Sequence, residues 1–388
     1  MNAPRTPTRR PHGRWVRGAG GYRAWIPAPL PPPIAWDADL ASALSAADRA
    51  VGRLAGEGRR VPNPHLLIRS FVRREAVLSS RIEGTRTSLG ELLAAEAGAA
   101  VDRSPADLRE VANYVSALEY GVDRLRTLPL SLRLVRELHE RLLRGLRGDV
   151  ATPGEFRRTQ NWIGAPGSTL VDATYVPPPP DELMACLGAW ETFLHDDSHP
   201  PLVHAALAHS QFEAIHPFLD GNGRVGRLLI TLLLVERNVL ATPLLYLSAF
   251  FEATRQEYYA RLLGVTERGE WEEWISYFLT GVAGQAEDAL GRIQRIDALL
   301  RQWREAVATS PSRQPERAID LFAENPFWTV GKLAERLGVA FTTAQRAIDR
   351  LESAGIVTLA GEAKRNRVYC ARALLAVLEE SPRAGAVG

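Results

Sequence analysis

The chain has 388 residues, 46% of them hydrophobic and 24% charged, with a formal net charge of +2. This is ordinary for a globular protein of two or three domains, and the near-neutral balance gives no global drive toward nucleic acid or an anionic membrane. Two cysteines, Cys186 and Cys370, cannot build a disulfide framework or a Cys-rich zinc site, which points to a reducing cytoplasm. The apolar stretch 228–235 is eight residues long, far below the ~20 that span a bilayer, so no membrane segment is expected. Lys332 and Lys364 are the only lysines among 47 basic residues; that bias reads as a GC-rich bacterial coding composition.

Residues 1–36 hold eight prolines, six arginines and no acid. Such a segment buries little and donates few backbone hydrogen bonds, so a flexible arm is expected. No apolar stretch follows its arginines, so no signal peptide is expected. Apolar periodicity over 37–60 predicts a helix. Pro62-Asn63-Pro64 interrupts it, and 66–81 predicts another, with Gly84 as its stop. Helices follow at 89–97, 106–125 and 130–144. Over 152–178 Gly, Pro and β-formers replace the helical pattern, predicting a hairpin with strands near 160–164 and 174–176. Helices resume at 181–194 and 201–215, the second ending at His216 because Pro217 steers the preceding residue out of the helical region. Another runs from about 224 to 238, and more fill 252–306. Residues 309–315 have linker composition. Beyond them lie two short amphipathic helices, 330–338 and 342–354. A strand is expected at 355–357, a basic tip at 361–367 and a returning strand at 368–370.

Residues 216–227 read His-Pro-Phe-Leu-Asp-Gly-Asn-Gly-Arg-Val-Gly-Arg. Gly221 and Gly223 permit a tight loop with close backbone approach. The loop opens into a helix whose unpaired first N–H groups and macrodipole make an anion site. Arg224 and Arg227, three apart, lie on neighbouring faces of the first turn and can both reach a phosphate. Asp220 is a hard oxygen ligand for Mg²⁺ or Mn²⁺ bridging phosphates. His216 is a general base near neutral pH. Each residue alone would be read as part of a helical corner with surface charges. Base, cation ligand and anion site within one short run form a nucleotide-transfer constellation.

The run resembles the Fic-domain signature HPFx(D/E)GNGRxxR at every defined position. The resemblance implies a mainly α fold: a Fic helical core with a β-hairpin flap. It also implies an activity, protein adenylyltransfer, moving AMP from ATP to a Ser, Thr or Tyr hydroxyl of a target protein, the enzyme itself included. His216 would take the proton from the hydroxyl and Asp220 would hold the metal. Gly221, Asn222 and Gly223 would form the anion hole, Arg224 would support the phosphates and Arg227 would hold the γ-phosphate. The hairpin matches the family's flap, which clamps ATP and aligns the target by strand addition; Gln160, Asn161, Trp162, Ile163, Gly164 and Tyr175 are its candidate contacts. Residues 79–84, from Ser79 through Glu83 to Gly84, resemble the family's inhibitory motif (S/T)xxxE(G/N). The resemblance implies that Glu83 competes with the γ-phosphate for Arg227, a carboxylate and a phosphate being rivals for one guanidinium fork.

The implied division is an arm at 1–36, an N-terminal helical extension at 37–125 and a catalytic core at 126–308. A linker at 309–315 and a C-terminal segment at 316–388 complete it. The last resembles a winged helix-turn-helix, with Arg346, Arg350, Lys364, Arg365 and Arg367 as candidate phosphate contacts on DNA. Winged helices also serve as protein and dimer contacts, so DNA binding stays open; a homodimer is compatible with the family. Removal of AMP from a modified protein, phosphoryl transfer, and a DNA-binding regulator with a nucleotide-sensing Fic part are the alternatives. Gly223 counts against phosphoryl transfer, since relatives with that chemistry depart at that position. His195, His199, His204 and His209 are read as structural or surface residues.

Overall fold

The computed structural model describes residues 12–18, 20–60, 64–146, 152–240, 243–361 and 367–380. The chain is mainly helical with small antiparallel sheets. In order the elements are β1 (Gly13–Arg17), β2 (Arg23–Pro27), α1 (Ala38–Arg60), α2 (Pro64–Ile82), α3 (Leu89–Glu96), α4 (Pro105–Arg124), α5 (Leu132–Leu142), α6 (Pro180–Leu194), α7 (Pro201–Ile215) and α8 (Asn222–Glu236). They continue as α9 (Ser248–Ala253), α10 (Arg255–Arg268), α11 (Trp271–Val307), α12 (Gln314–Glu324), β3 (Phe327–Thr329), α13 (Val330–Leu337), α14 (Phe341–Ser353), β4 (Thr358–Ala360), β5 (Val368–Cys370) and α15 (Arg372–Glu379).

Two compact units emerge: Met1–Arg49 with Ser116–Val239 and Ala253–Ala283, and Ala50–Val115 with Leu240–Glu252 and Gly284–Gly388. These do not follow the sequential segments expected from the sequence, because α1, α4 and α11 are continuous helices that contribute residues to both.

In the first unit α7 and α8 form the centre. Twelve of the fifteen residues in each are buried, the pattern of helices covered on all sides. Pro180 and Pro201 open α6 and α7, where a missing N–H is harmless. Trp190 on α6 and Trp274 on α11 donate their indole N–H groups to Ala208 O and Ala206 O of α7, both at 2.9 Å. Gly226 allows the close approach of α7 and α8: a Cβ there would lie 2.2 Å from a Glu213 carboxylate oxygen and 3.2 Å from the Phe212 ring.

Two expectations in this unit are corrected. Where a flexible arm was expected, β1 and β2 form an antiparallel hairpin with Trp15 opposite Trp25. Trp25 is buried, and its N–H donates to Val176 O at 2.8 Å. Aromatic burial and a borrowed backbone acceptor compensate for the proline-rich composition. The two strands expected near 160–164 and 174–176 reduce to one antiparallel bridge, Ile163 with Tyr175.

In the second unit α12 packs on α2 and α14, α13 packs on α14, and α15 on α2 and α3. The sheet order is β3-β5-β4, all antiparallel. The strand expected at 355–357 begins three residues later, since Gly355 takes φ 71° in the turn after α14. Ser88 and Glu91 form a capping box on α3, and Thr329 caps α13 through Lys332 N. Arg292, fully buried, pairs with Asp288 and donates to Val377 O and Glu380 O at the end of α15. The basic tip lies largely outside the described residues.

Candidate active site

His216 ends α7 in the left-handed region, φ 48° and ψ 61°. A non-glycine residue there costs roughly 1–2 kcal/mol, so neighbouring groups must hold it. Its N–H donates to Phe212 O at 3.0 Å. Its carbonyl accepts from Arg157 Nε at 3.0 Å and from Asn161 Nδ2 at 3.2 Å. Pro217 O accepts from Arg157 N at 2.9 Å. Two residues of the flap region thus grip the backbone of the candidate base.

The loop beyond is locked by Asn222. Its Oδ1 accepts from Phe218 N and its Nδ2 donates to Phe218 O, both at 2.8 Å. Asn161 Nδ2 also donates to Phe218 O, at 2.7 Å. The expectation that Asn222 contributes to an anion hole therefore narrows to its backbone N–H, because its side chain serves the loop. Gly221, at φ 79°, precedes α8, and no side chain caps that helix. The first helical bond runs from Val225 N to Gly221 O, so helix geometry gives the N–H groups of Asn222 and Gly223 no intrahelical acceptor.

Around this helix start stand Arg224 and Arg227, both buried, and Asp220, whose side chain is 64% exposed. Asp220 Oδ1 accepts from Gly221 N at 2.6 Å and from Arg224 Nη2 at 3.4 Å. Among the described residues no group of three or more His, Cys, Asp or Glu is arranged to hold a metal ion. A single exposed carboxylate suits Mg²⁺ that arrives with a nucleotide, since that ion keeps waters and phosphate oxygens as most of its ligands.

Three residues shape the site without a signal in the short motif. His139 on α5 is buried and stacks on Phe218 with ring centroids 3.7 Å apart. Its Nδ1 accepts from Gly154 N at 2.9 Å, so Nε2 carries the proton and donates to Asp220 O at 3.0 Å. Burial pushes its pKa down to about 4, so the ring is neutral. His209 on α7 is also held at both ring nitrogens, in the opposite tautomer: Nδ1 donates to Gly226 O at 3.0 Å and Nε2 accepts from Tyr258 Oη at 2.8 Å. Burial pushes it down to about 3, and the Arg227 charge acts in the same direction. Arg157 is buried; besides His216 O it donates to Pro178 O at 2.6 Å and, at 3.4 Å, to Thr159 O and Ile215 O. Burial lowers its pKa to about 10, which leaves it charged at neutral pH.

The flap candidates divide into two groups. Gln160 Nε2 donates to Asn161 O and Pro177 O, both at 3.0 Å. Tyr175 Oη donates to Ala214 O at 2.6 Å, and burial raises its pKa far above the usual range. With Asn161 these are framework. Trp162 and Ile163 are each 41% exposed, and Gly164 is exposed beside them; they form the open face. Ser79 is buried at the end of α2, Glu83 is exposed in the following turn and Gly84 takes φ 105°; all three lie in the second unit. There too Arg350 Nη2 donates to Ala306 O at 3.2 Å and Thr309 Oγ1 at 3.3 Å, while Arg346 and Arg367 are exposed. Lys364 and Arg365 lie outside the described residues.

Residues 129–234 match the Fic/DOC family and residues 41–123 the Fic/DOC family N-terminal region. The loop-to-helix site lies within the segment that matches the Fic/DOC family. Over 161 residues the chain is 35% identical to the Protein adenylyltransferase Fic of Drosophila grimshawi and that of Drosophila virilis. Each match covers 40% of this chain and 31% of the relative, so the chain spans about a third of the length of those curated relatives. A Fic family protein from Desulfovibrio desulfuricans has the same fold, with TM-score 0.58 and 20% identity over 88% of this chain and 98% of that one. Fic-1 of C. elegans gives 0.50 and 24%, over 66% and 74%. At those identities the likeness shows the fold.

Proposed function

We propose that this chain is a protein adenylyltransferase that moves AMP from ATP to a hydroxyl of a target protein. The observation that carries it is the junction of α7 and α8. A histidine in the left-handed region stands one short loop from an uncapped helix start flanked by two buried guanidiniums and an exposed carboxylate. The N–H groups of Asn222 and Gly223 with Arg224 and Arg227 hold the phosphates. His216 accepts the proton of the target hydroxyl. The oxygen attacks the α-phosphorus, a new P–O bond forms, the α–β bridging P–O bond breaks, and pyrophosphate leaves with that electron pair. Asp220 would hold Mg²⁺, which neutralises phosphate charge. Trp162, Ile163 and Gly164 offer the flap face to which a target strand adds. Glu83 restrains the reaction by competing for Arg227.

The supporting experiment uses ATP labelled at the α- or the γ-phosphate, with the wild-type chain and Glu83→Gly in a cell lysate. Label from the α position only, at least about tenfold stronger in Glu83→Gly, is expected. Label from γ only would establish phosphoryl transfer instead. Loss of label from a premodified protein, without new labelling, would establish AMP removal, with Glu83 orienting the water.

The second unit favours one further reading. Helix, strand, two helices and two strands in the order α12 to β5, with the sheet β3-β5-β4, support reading this segment as a winged helix-turn-helix. The second of the two helices between β3 and β4, α14, would present Arg346 to DNA phosphates. Retention on duplex DNA that falls steeply with salt is the expected result for a DNA contact. No retention at low salt would leave the segment as a protein or homodimer contact.

A further inference from the structure

Arg157 is a buried guanidinium with no ion pair to a carboxylate among the described residues. A charge in that position is ordinarily matched by an acid. Here its donors go to backbone carbonyls of three segments. Thr159 O belongs to the incoming arm of the flap and Pro178 O to the outgoing arm; Ile215 O and His216 O close α7. The helix C-terminus supplies the negative potential that a carboxylate would otherwise give. Its own N–H fixes Pro217 O at 2.9 Å, and Asn161, four residues on, adds a bond to the same His216 carbonyl.

We propose that Arg157 is a positioning residue that joins both arms of the flap to the left-handed His216 and so sets where the imidazole stands relative to a target strand added to the flap. The proposal rests on the adenylyltransfer reading. It gives the flap a second role, because the surface that receives the target also orients the base. A 1 Å displacement of a reacting group is enough to cost about a hundredfold in rate.

The test compares Arg157→Met and Arg157→Lys in a Glu83→Gly parent, using α-labelled ATP. Expected for Met is a fall in kcat of about ten- to a hundredfold with the KM for ATP within about twofold, since the phosphate-holding groups are untouched. Lys, which keeps the charge but cannot fork to both flap arms, falls in between. A kcat per folded molecule equal to the parent in both variants would overturn the proposal and leave Arg157 a helix cap. A parent that takes no label defeats the adenylyltransfer reading by itself. The clamp is then read from amide hydrogen exchange: Met should speed exchange at His216 and Phe218 at least about tenfold over the rest of α7. Unchanged exchange there would overturn it.

Discussion

His139 fixes the backbone of Asp220, the residue proposed to hold the metal. One ring nitrogen takes Gly154 N–H, the other gives its proton to Asp220 O, and the face lies on Phe218. His139→Phe keeps the stack but leaves a buried N–H and a carbonyl unpaired, each worth roughly 1–3 kcal/mol. A destabilisation of about 2 kcal/mol or more is expected from the denaturant midpoint; a change under about 0.5 kcal/mol would contradict the assignment. Neither His139 nor Arg157 was legible in the sequence. They act on residues 81 and 59 positions away, and nothing local marks either as a partner of the loop. The 216–227 run was legible because its base, carboxylate, glycines and arginines are contiguous, so the chain itself holds them near one another. The reading of Asn222 needed refinement for a related reason: its type fitted an anion hole, but its two ends match the backbone N–H and C=O of Phe218, four residues back.

At the scale of elements, features that the chain decides locally were legible. The helix at 201–215 starts on a proline and stops before one, and the structure has those limits. The helix expected at 181–194 is found one residue longer, at Pro180–Leu194. Elements that depend on distant partners were not legible. The hairpin β1–β2 draws on Val176 for a backbone acceptor, and proline counts alone pointed to an arm. The break in helical structure over 152–178 was located correctly along the chain, but turn residues and β-formers predicted two strands where a single bridge forms. Its remaining hydrogen bonds go to α7 and the loop, through Arg157, Asn161 and Tyr175. A flap tied to its helix in this way depends less on strand pairing.

At the scale of the molecule, buried neutral histidines make stability depend on pH. His204 and His209 are held near 4 and 3 by burial, against 6.5 when exposed. Below about pH 6.5 the unfolded chain takes up protons that the folded one refuses, so stability is complete above that value and falls as pH drops toward the folded values. The slope is about 1.4 kcal/mol per pH unit for each histidine. The denaturant midpoint should therefore be clearly lower at about pH 5 than at about pH 7.5, with a smaller drop in His204→Gln; equal midpoints at the two pH values would contradict the burial argument. Among the described residues no helix is long and apolar enough to cross a membrane. The proposed chemistry is transfer of AMP at the α7–α8 junction. The most direct measurement of that chemistry sets Glu83→Gly against Glu83→Gly/His216→Ala with α-labelled ATP, and follows ATP binding alongside. The double variant should bind ATP within about twofold of the single one and lose transfer of label by at least about a hundredfold. Transfer retained by the double variant would contradict His216 as the base and, with it, the reading of the α7–α8 junction as the active site.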